Sequence, residues 1–160
     1  MDISNLSGAQ QIFTLVITII IVITFIYELQ VLNKNSLRQV VKYSKEISVK
    51  RFLKLRNQKD GKRKLKSSRQ DVEGVYIIHN HTEGMYYVGQ AQHMISRANS
   101  HFTGKGNGRI YADFDHGDRF TIRFVMLKGS GFKNLNDLER YFIEKYDALE
   151  AGYNRTKGNK

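Results

Sequence analysis

Sixteen consecutive residues, Ile12 to Tyr27, carry no charge, and their only polar groups are the hydroxyls of Thr14, Thr18, Thr24 and Tyr27. A run that is apolar on every side cannot serve as a surface helix of a small globular protein, which needs a polar face. As a helix it measures roughly 24 Å at 1.5 Å per residue, short of a hydrocarbon core of about 30 Å. Threonine hydroxyls can bond back to carbonyls of their own helix, so they do not interrupt a span. Gln10, Gln11 and Glu28 can reach the interface, and Leu29, Val31 and Leu32 extend the far end. A buried core element would interleave with amphipathic segments, whereas this run precedes them. A cleaved leader would carry basic residues before the run and a small-residue cleavage site after it. Here Asp2 is the one charge before it, and Tyr27-Glu28-Leu29-Gln30-Val31-Leu32 offers no such site. The run predicts an uncleaved transmembrane anchor over residues 1–32.

Charge is segregated behind it. The chain has 160 residues and a net charge of +11, made up of −1 in residues 1–27, +10 in residues 28–71 and only +2 in residues 72–160. An excess of this size implies an anionic partner, nucleic acid or an acidic membrane surface. Lys34, Arg38, Lys42 and Lys45 follow the span and no Lys or Arg precedes it. The positive-inside rule then places the carboxyl-terminal bulk in the cytoplasm and the amino terminus outside, in a single-pass cell-membrane topology. Residues 33–71 read as a basic, partly helical juxtamembrane linker. Leu37, Val40, Val41, Ser44, Ile47, Arg51 and Leu55 recur at helical spacing, which predicts a helix over 36–57. A solvated spacer and a basic grip on lipid headgroups or phosphates both fit it. Eight basic residues lie between Lys54 and Arg69. Among them Lys62, Arg63, Lys64 and Lys66 are candidate nucleic-acid contacts, and the tract would also attract anionic lipid.

The absence of cysteine excludes a disulfide scaffold, a thiolate zinc site, an iron–sulfur cluster and a Cys nucleophile. Residues 72–160 have room for one small domain. Gly74 to His79 reads as a strand with Val75 and Ile77 on one face. Asn80 to Gly84 reads as a turn, with His79-Asn80-His81 assigned to it, and Met85 to Gly89 as the returning strand. Gln92 to His101 suits a helix stopped by Gly104, Gly106 and Gly108. Phe120, Ile122, Phe124 and Met126 alternate with Thr121, Arg123 and Val125 in a third strand. Leu135, Leu138, Phe142, Tyr146 and Leu149 mark a helix over Asn134–Ala151. The expected fold is α+β, in the order β-β-α-β-α, with a three-stranded antiparallel sheet flanked by helices.

Gly74-Val75-Tyr76 and Tyr87-Val88-Gly89, with Arg97 and His101 one turn apart on the next helix, Glu139 on the last helix and Asn154 after it, form an ordered set. In these residues the sequence resembles the GIY-YIG nuclease family, departing from its two tripeptides only by valine in place of isoleucine. The resemblance covers Gly74 to Asn154 and implies a metal-dependent endonuclease that hydrolyses phosphodiester bonds. It implies Tyr76 as the base acting on water, Tyr87 and His101 as positioning groups, and Arg97 on the scissile phosphate. Glu139 would be the ligand of Mg²⁺ or Mn²⁺, and Asn154 a brace. These residue types suit the chemistry. A guanidinium fork matches a phosphate, and one hard carboxylate suits an ion that keeps most of its waters. A free phenol, with pKa near 10, is about a thousandth ionised at pH 7, so positive charge from Arg97 or the metal must favour the phenolate.

Single residues have plainer readings as well. Asn136 and Glu139 fit a helix N-cap and its capping-box partner, Tyr76 and Tyr87 fit strand aromatics, and Asn154 fits a turn after Gly152. His93 and His116 have no metal-ligand spacing. Gly104 to Gly108 lacks the strand and the Lys-Ser/Thr of a phosphate loop. It reads as a flexible loop beside a nucleic-acid groove, with Lys105 and Arg109 touching phosphates. With no reader module in the chain, the expected activity is cleavage of DNA with low sequence specificity and no small-molecule cofactor, with incoming phage DNA as one target. The alternative is a catalytically idle, membrane-tethered nucleic-acid-binding protein.

Overall fold

The computed structural model describes residues 8–34, 36–59, 64, 65, 67 and 71–158. It divides into two units, one ending at Ser36 and a compact one from Leu37 onward.

The first unit is helix α1, Gly8–Lys34, whose 27 residues measure roughly 40 Å. The helix outruns the apolar run at both ends, which removes the shortfall in length. Its stretch Gly8–Glu28 is long and apolar enough to cross a membrane and has no buried side chains. The Thr14 hydroxyl donates to the Gln10 carbonyl at 2.9 Å and Thr18 to that of Thr14 at 2.9 Å, while Thr24 donates to Ile20 at 2.8 Å. Each threonine is thus neutralised within the helix.

The second unit is an α+β domain. Its elements are α2 (Leu37–Lys42), β1 (Ile47–Ser48), α3 (Val49–Arg56), β2 (Gly74–Asn80), β3 (Met85–Ala91), α4 (Met94–His101), α5 (Gly108–His116), β4 (Phe120–Met126) and α6 (Leu135–Lys145). The antiparallel sheet has four strands in the order β1-β4-β2-β3. Alternation along β2 sends side chains to two covered faces. Tyr76 and Ile78, with Ile122 and Phe124 of β4, pack under α2–α3 and α4–α5. Val75 and Ile77, with Val88, pack under Leu138, Phe142 and Ile143 of α6.

Three expectations need correction. The sheet has a fourth strand, and the expected linker supplies it. Residues 37–56 do not run as one helix. Ser44 takes a left-handed conformation (φ 48°) and its hydroxyl donates to the Phe124 carbonyl at 2.8 Å, which turns the chain so that Ile47 can pair with Ile122. Leu37, Val40, Val41, Val49 and Phe52 are buried, and the Phe52 ring lies 5.4 Å from that of Phe124. This stretch therefore belongs to the folded unit, with Arg38, Lys42, Lys45, Lys50, Arg51 and Lys54 on its exposed side. The helical spacing was a true signal of burial, but a tertiary hydrogen bond splits the helix.

The second correction concerns Gly104 to Gly108, which is not a free loop. Asn107 caps α5, accepting from the amides of Arg109 and Ile110, and a Cβ at Gly106 would come within 2.7 Å of the His101 ring. The element order is accordingly β-β-α-α-β-α within the expected domain. Third, His79 and Asn80 belong to β2 and only His81 lies in the turn, where the Asn80 side-chain oxygen Oδ1 accepts from the amides of Thr82 and Glu83.

Candidate active site

The exposed edge of β3 organises the site. An edge strand leaves alternate backbone groups without a neighbouring strand, and three side-chain or backbone devices meet them here. The amide of Tyr153 donates to the Tyr86 carbonyl at 2.8 Å. The Asn154 carboxamide accepts from the Val88 amide and donates to the Val88 carbonyl, both at 2.8 Å, standing in for a strand residue. The Gln90 amide donates to Glu139 Oε1 at 3.1 Å. Tyr153 is fixed from below, its hydroxyl accepting from buried Asn80 at 2.8 Å and donating to Asp113 at 2.7 Å.

Along this edge lies a cleft of about 300 Å³, lined in part by Tyr76, Tyr87, Arg97, Glu139, Asn154 and Arg155. The register explains how two tripeptides meet there. Tyr76 pairs with Gly89 across the hairpin, so the Tyr76 ring passes over a residue with no side chain, and a Cβ at Gly89 would collide with its hydroxyl. Tyr87 pairs with Ile78 and so projects from the same face as Tyr76; the two ring centroids are 6.1 Å apart. Helix α4 carries Arg97 and His101. Its first turn is fastened by Asp71, which accepts from the Ile95 amide at 2.7 Å and the Ser96 amide at 3.0 Å.

His101 stands behind Tyr76 rather than in the cleft, almost fully buried, with Nε2 3.0 Å from the Tyr76 hydroxyl. Burial first, then the nearby Arg97 charge, pushes its pKa down to about 4, so the ring is neutral at pH 7 and carries one N–H. The Asn107 amide donates to Nδ1 at 2.9 Å. The proton is therefore on Nε2, and His101 donates to the Tyr76 oxygen. Tyr76 itself is held far above the ordinary phenol range, mainly by burial and secondly by Tyr87, with Arg97 opposing. Arg97 acts in the direction expected, yet burial outweighs it, so Tyr76 is a neutral phenol here. Tyr87 is likewise raised, chiefly by burial.

Glu139 does not cap its helix. Asn134 is the N-cap of α6, accepting from the Asp137 amide, so the capping-box reading of Asn136 and Glu139 fails by two residues. Glu139 is buried and its two oxygens accept from the Gln90 amide and, at 2.9 Å, the Gln90 carboxamide. Glu139 also lines the cleft, so the bonds from Gln90 fix a carboxylate beside that space. One hard, pre-oriented carboxylate beside a roomy polar cleft fits a small divalent ion that retains waters.

Tyr76, Tyr87, Arg97, Glu139 and Asn154 thus converge, with His101 supporting from behind. Lys105 and Arg109 do not line the cleft. Lys105 is exposed on the turn after α4, and the Arg109 guanidinium lies 5.1 Å above the Tyr153 ring. Lys64 is exposed, while Lys62, Arg63 and Lys66 lie outside the described residues. Gln90, Asn107 and Arg155 line the cleft without having been singled out in the sequence. Gln90 directly follows the second tripeptide, and Asn107 precedes a helix start, signals visible only once the turn geometry is known.

The family described as the GIY-YIG catalytic domain matches residues 72–154. No curated protein matches the chain, and no solved structure does.

Proposed function

Because the chain belongs to the GIY-YIG family, which carries a nuclease-type function, we propose that it is a membrane-anchored, metal-dependent endonuclease acting on DNA with low sequence specificity. One observation carries this reading: five side chains from β2, β3, α4, α6 and the segment after α6 meet in one cleft. In-line cleavage of a phosphodiester needs a positioned water, charge on the phosphate and relief at the leaving oxygen.

Arg97 is a cation of the cleft suited to a non-bridging phosphate oxygen, and Arg155 is a second cation in its lining. Tyr76 is the base candidate, but it must first give up its own proton. His101 helps in one definite way, since an Nε2–H donated to the Tyr76 oxygen stabilises the phenolate more than the phenol. Arg97 works in the same direction. Tyr87 orients water against Tyr76, and Gln90 holds the Glu139 carboxylate toward the cleft. A hard divalent ion on Glu139, Mg²⁺ or Mn²⁺, would supply further positive charge to the phosphate and to bound water. Asn154 keeps β3, and with it Tyr87 and Gln90, in register.

Helix α1 is the anchor in this reading, with the domain in the cytoplasm. The exposed basic side of α2–α3 and the following basic tract supply salt-sensitive grip on DNA or anionic headgroups. A nuclease held there meets DNA as it crosses the envelope, such as an injected phage genome. Equal protection of cells by anchored and anchor-deleted protein would sink that role.

The enzymatic reading is tested with the full-length chain in neutral detergent, incubated with supercoiled plasmid and Mg²⁺ beside Arg97→Ala and Glu139→Gln. The parent is expected to nick and linearise the plasmid, with rates falling on the order of 100-fold or more in each variant and cleavage lost to chelator. A folded parent that cuts neither plasmid nor RNA with Mg²⁺ or Mn²⁺ would instead establish a catalytically idle binding protein. Binding that is equally tight at about 50 and 500 mM salt would refute the phosphate-driven grip.

A further inference from the structure

On the sheet face opposite the Tyr76 hydroxyl, three residues that are distant in sequence come together. A carboxylate oxygen of Glu46 and one ring nitrogen each of His79 and His81 lie within 4.8 Å of one another. Around them the structure is ordered in a way that a chance surface cluster would not need. The His79 ring stacks on Tyr86, with centroids 4.0 Å apart and planes 5° from parallel, and Tyr86 stacks in turn on Tyr146. The His81 ring leans on His79 at 3.9 Å. The Thr121 hydroxyl donates to Glu46 Oε1 at 2.5 Å and lies 2.9 Å from His81 Nε2. Arg123 takes the other oxygen, Oε2, at 3.4 Å, which fixes the carboxylate with Oε1 turned toward the imidazoles. A pocket of about 20 Å³ lined by Glu46 and His79, with Tyr86, Thr121 and Arg123 among its other walls, adjoins the cluster on the side away from His81 and has room for one water.

We propose that Glu46, His79 and His81 form a binding site for a late first-row divalent ion of the Zn²⁺ class. Two imidazoles and one carboxylate suit such an ion, and three protein ligands leave a position for water. A tetrahedral Zn²⁺ with bonds of about 2.0–2.1 Å sets its ligand atoms about 3.4 Å apart, so donor atoms that lie within 4.8 Å of one another must draw in by up to about 1.4 Å. Side-chain rotations at His81 and Glu46, both partly exposed, can provide that. Thr121 and Arg123 then hold the ligands from outside, as outer-shell partners commonly do. The donor set differs from the single hard carboxylate of Glu139, and the site lies outside the cleft.

The placement gives the ion a task. His79 comes from the end of β2 and His81 from the turn that follows, both inside the family domain, while Glu46 comes from the turn before β1, ahead of it. A shared ion would add a further tie between residues 37–56 and the catalytic sheet, beside the β1–β4 pairing, the Ser44–Phe124 hydrogen bond and the Phe52–Phe124 contact.

The test uses the untagged full-length chain in neutral detergent, stripped with chelator and titrated with Zn²⁺ alone. One equivalent is expected to bind at micromolar or tighter affinity, to raise Tm by several degrees, and to shift the imidazole NMR resonances of His79 and His81. Single variants Glu46→Gln, His79→Gln and His81→Gln should each weaken binding at least 10-fold, and Glu139→Gln and His93→Gln should leave it unchanged. A tenfold excess of Mg²⁺ should not displace the Zn²⁺. No binding by the folded parent, or binding that survives in the His79→Gln/His81→Gln double variant, would overturn the proposal.

Discussion

Acidification should unfold this domain through one imidazole. His101 is almost fully buried between Tyr76 and the Asn107 amide, with its pKa pushed from 6.5 down to about 4. Protonation at Nδ1 would break the bond from the Asn107 amide and place a cation beside Arg97. Between pH 6.5 and 4 the unfolded chain binds that proton and the folded chain does not. The stability it contributes is thus complete above pH 6.5 and is lost as pH falls toward 4. At 1.36 kcal/mol per pH unit, the window from 6.5 to about 4 amounts to about 3 kcal/mol. For a unit of this size 1 kcal/mol moves Tm by roughly 3–6 °C, so a fall of about 10–15 °C is expected. Thermal unfolding of the full-length chain in neutral detergent, followed by tyrosine near-ultraviolet circular dichroism, avoids the large far-ultraviolet signal of α1. In His101→Gln the same acidification should cost far less. His79, whose pKa is also lowered by burial, is present in both proteins and cancels in the comparison. Parallel loss of Tm in parent and variant would refute the assignment of His101 as a buried neutral donor.

Other perturbations separate the site from its scaffold. Gly89→Ala places a methyl group against the Tyr76 hydroxyl, and a displacement near 1 Å should lower plasmid cleavage about 100-fold while the far-ultraviolet spectrum is retained. Asn154→Ala removes two hydrogen bonds from the Val88 backbone; at about 1 kcal/mol each plus the desolvation left behind, a loss of about 2–4 kcal/mol is expected. Hydrogen exchange should show it as faster exchange of the Val88 amide, and unchanged protection would contradict the strand-like role of the carboxamide. Phe52→Ala empties a fully buried site against Phe124, at an expected cost of about 3–5 kcal/mol. A Tm unchanged by that substitution would return residues 37–56 to the status of a spacer.

The candidate site was far more legible in the sequence than the frame that holds it. Tyr76, Tyr87, Arg97, Glu139 and Asn154 were recoverable through the resemblance to the GIY-YIG family, whose two tripeptides and following residues stand in order along this sequence. Strand β1 has only two residues, too few to show a period, and its neighbours keep the apolar spacing of a helix. Helix α5 has one fully buried side chain, Ile110, and starts directly after glycines that read as a loop. The capping box at Asn136 and Glu139 had a better rival two residues earlier, and only the hydrogen bond to Asp137 decides between them. Glu46 and the two histidines share no spacing at all; the fold brings them together.

The Asn154 clamp has a consequence beyond the site. One margin of the sheet ends in a strand of two residues, and at the other the segment after α6 occupies the backbone groups of Tyr86 and Val88. Among the described residues, the β3 margin presents no long open ladder to a second chain. Were α1 to hold the chain in a membrane, as proposed above, its copies would diffuse in two dimensions and meet repeatedly in similar orientations. Under that crowding an open margin would invite neighbouring copies to zip together, and one carboxamide would help keep the population dispersed.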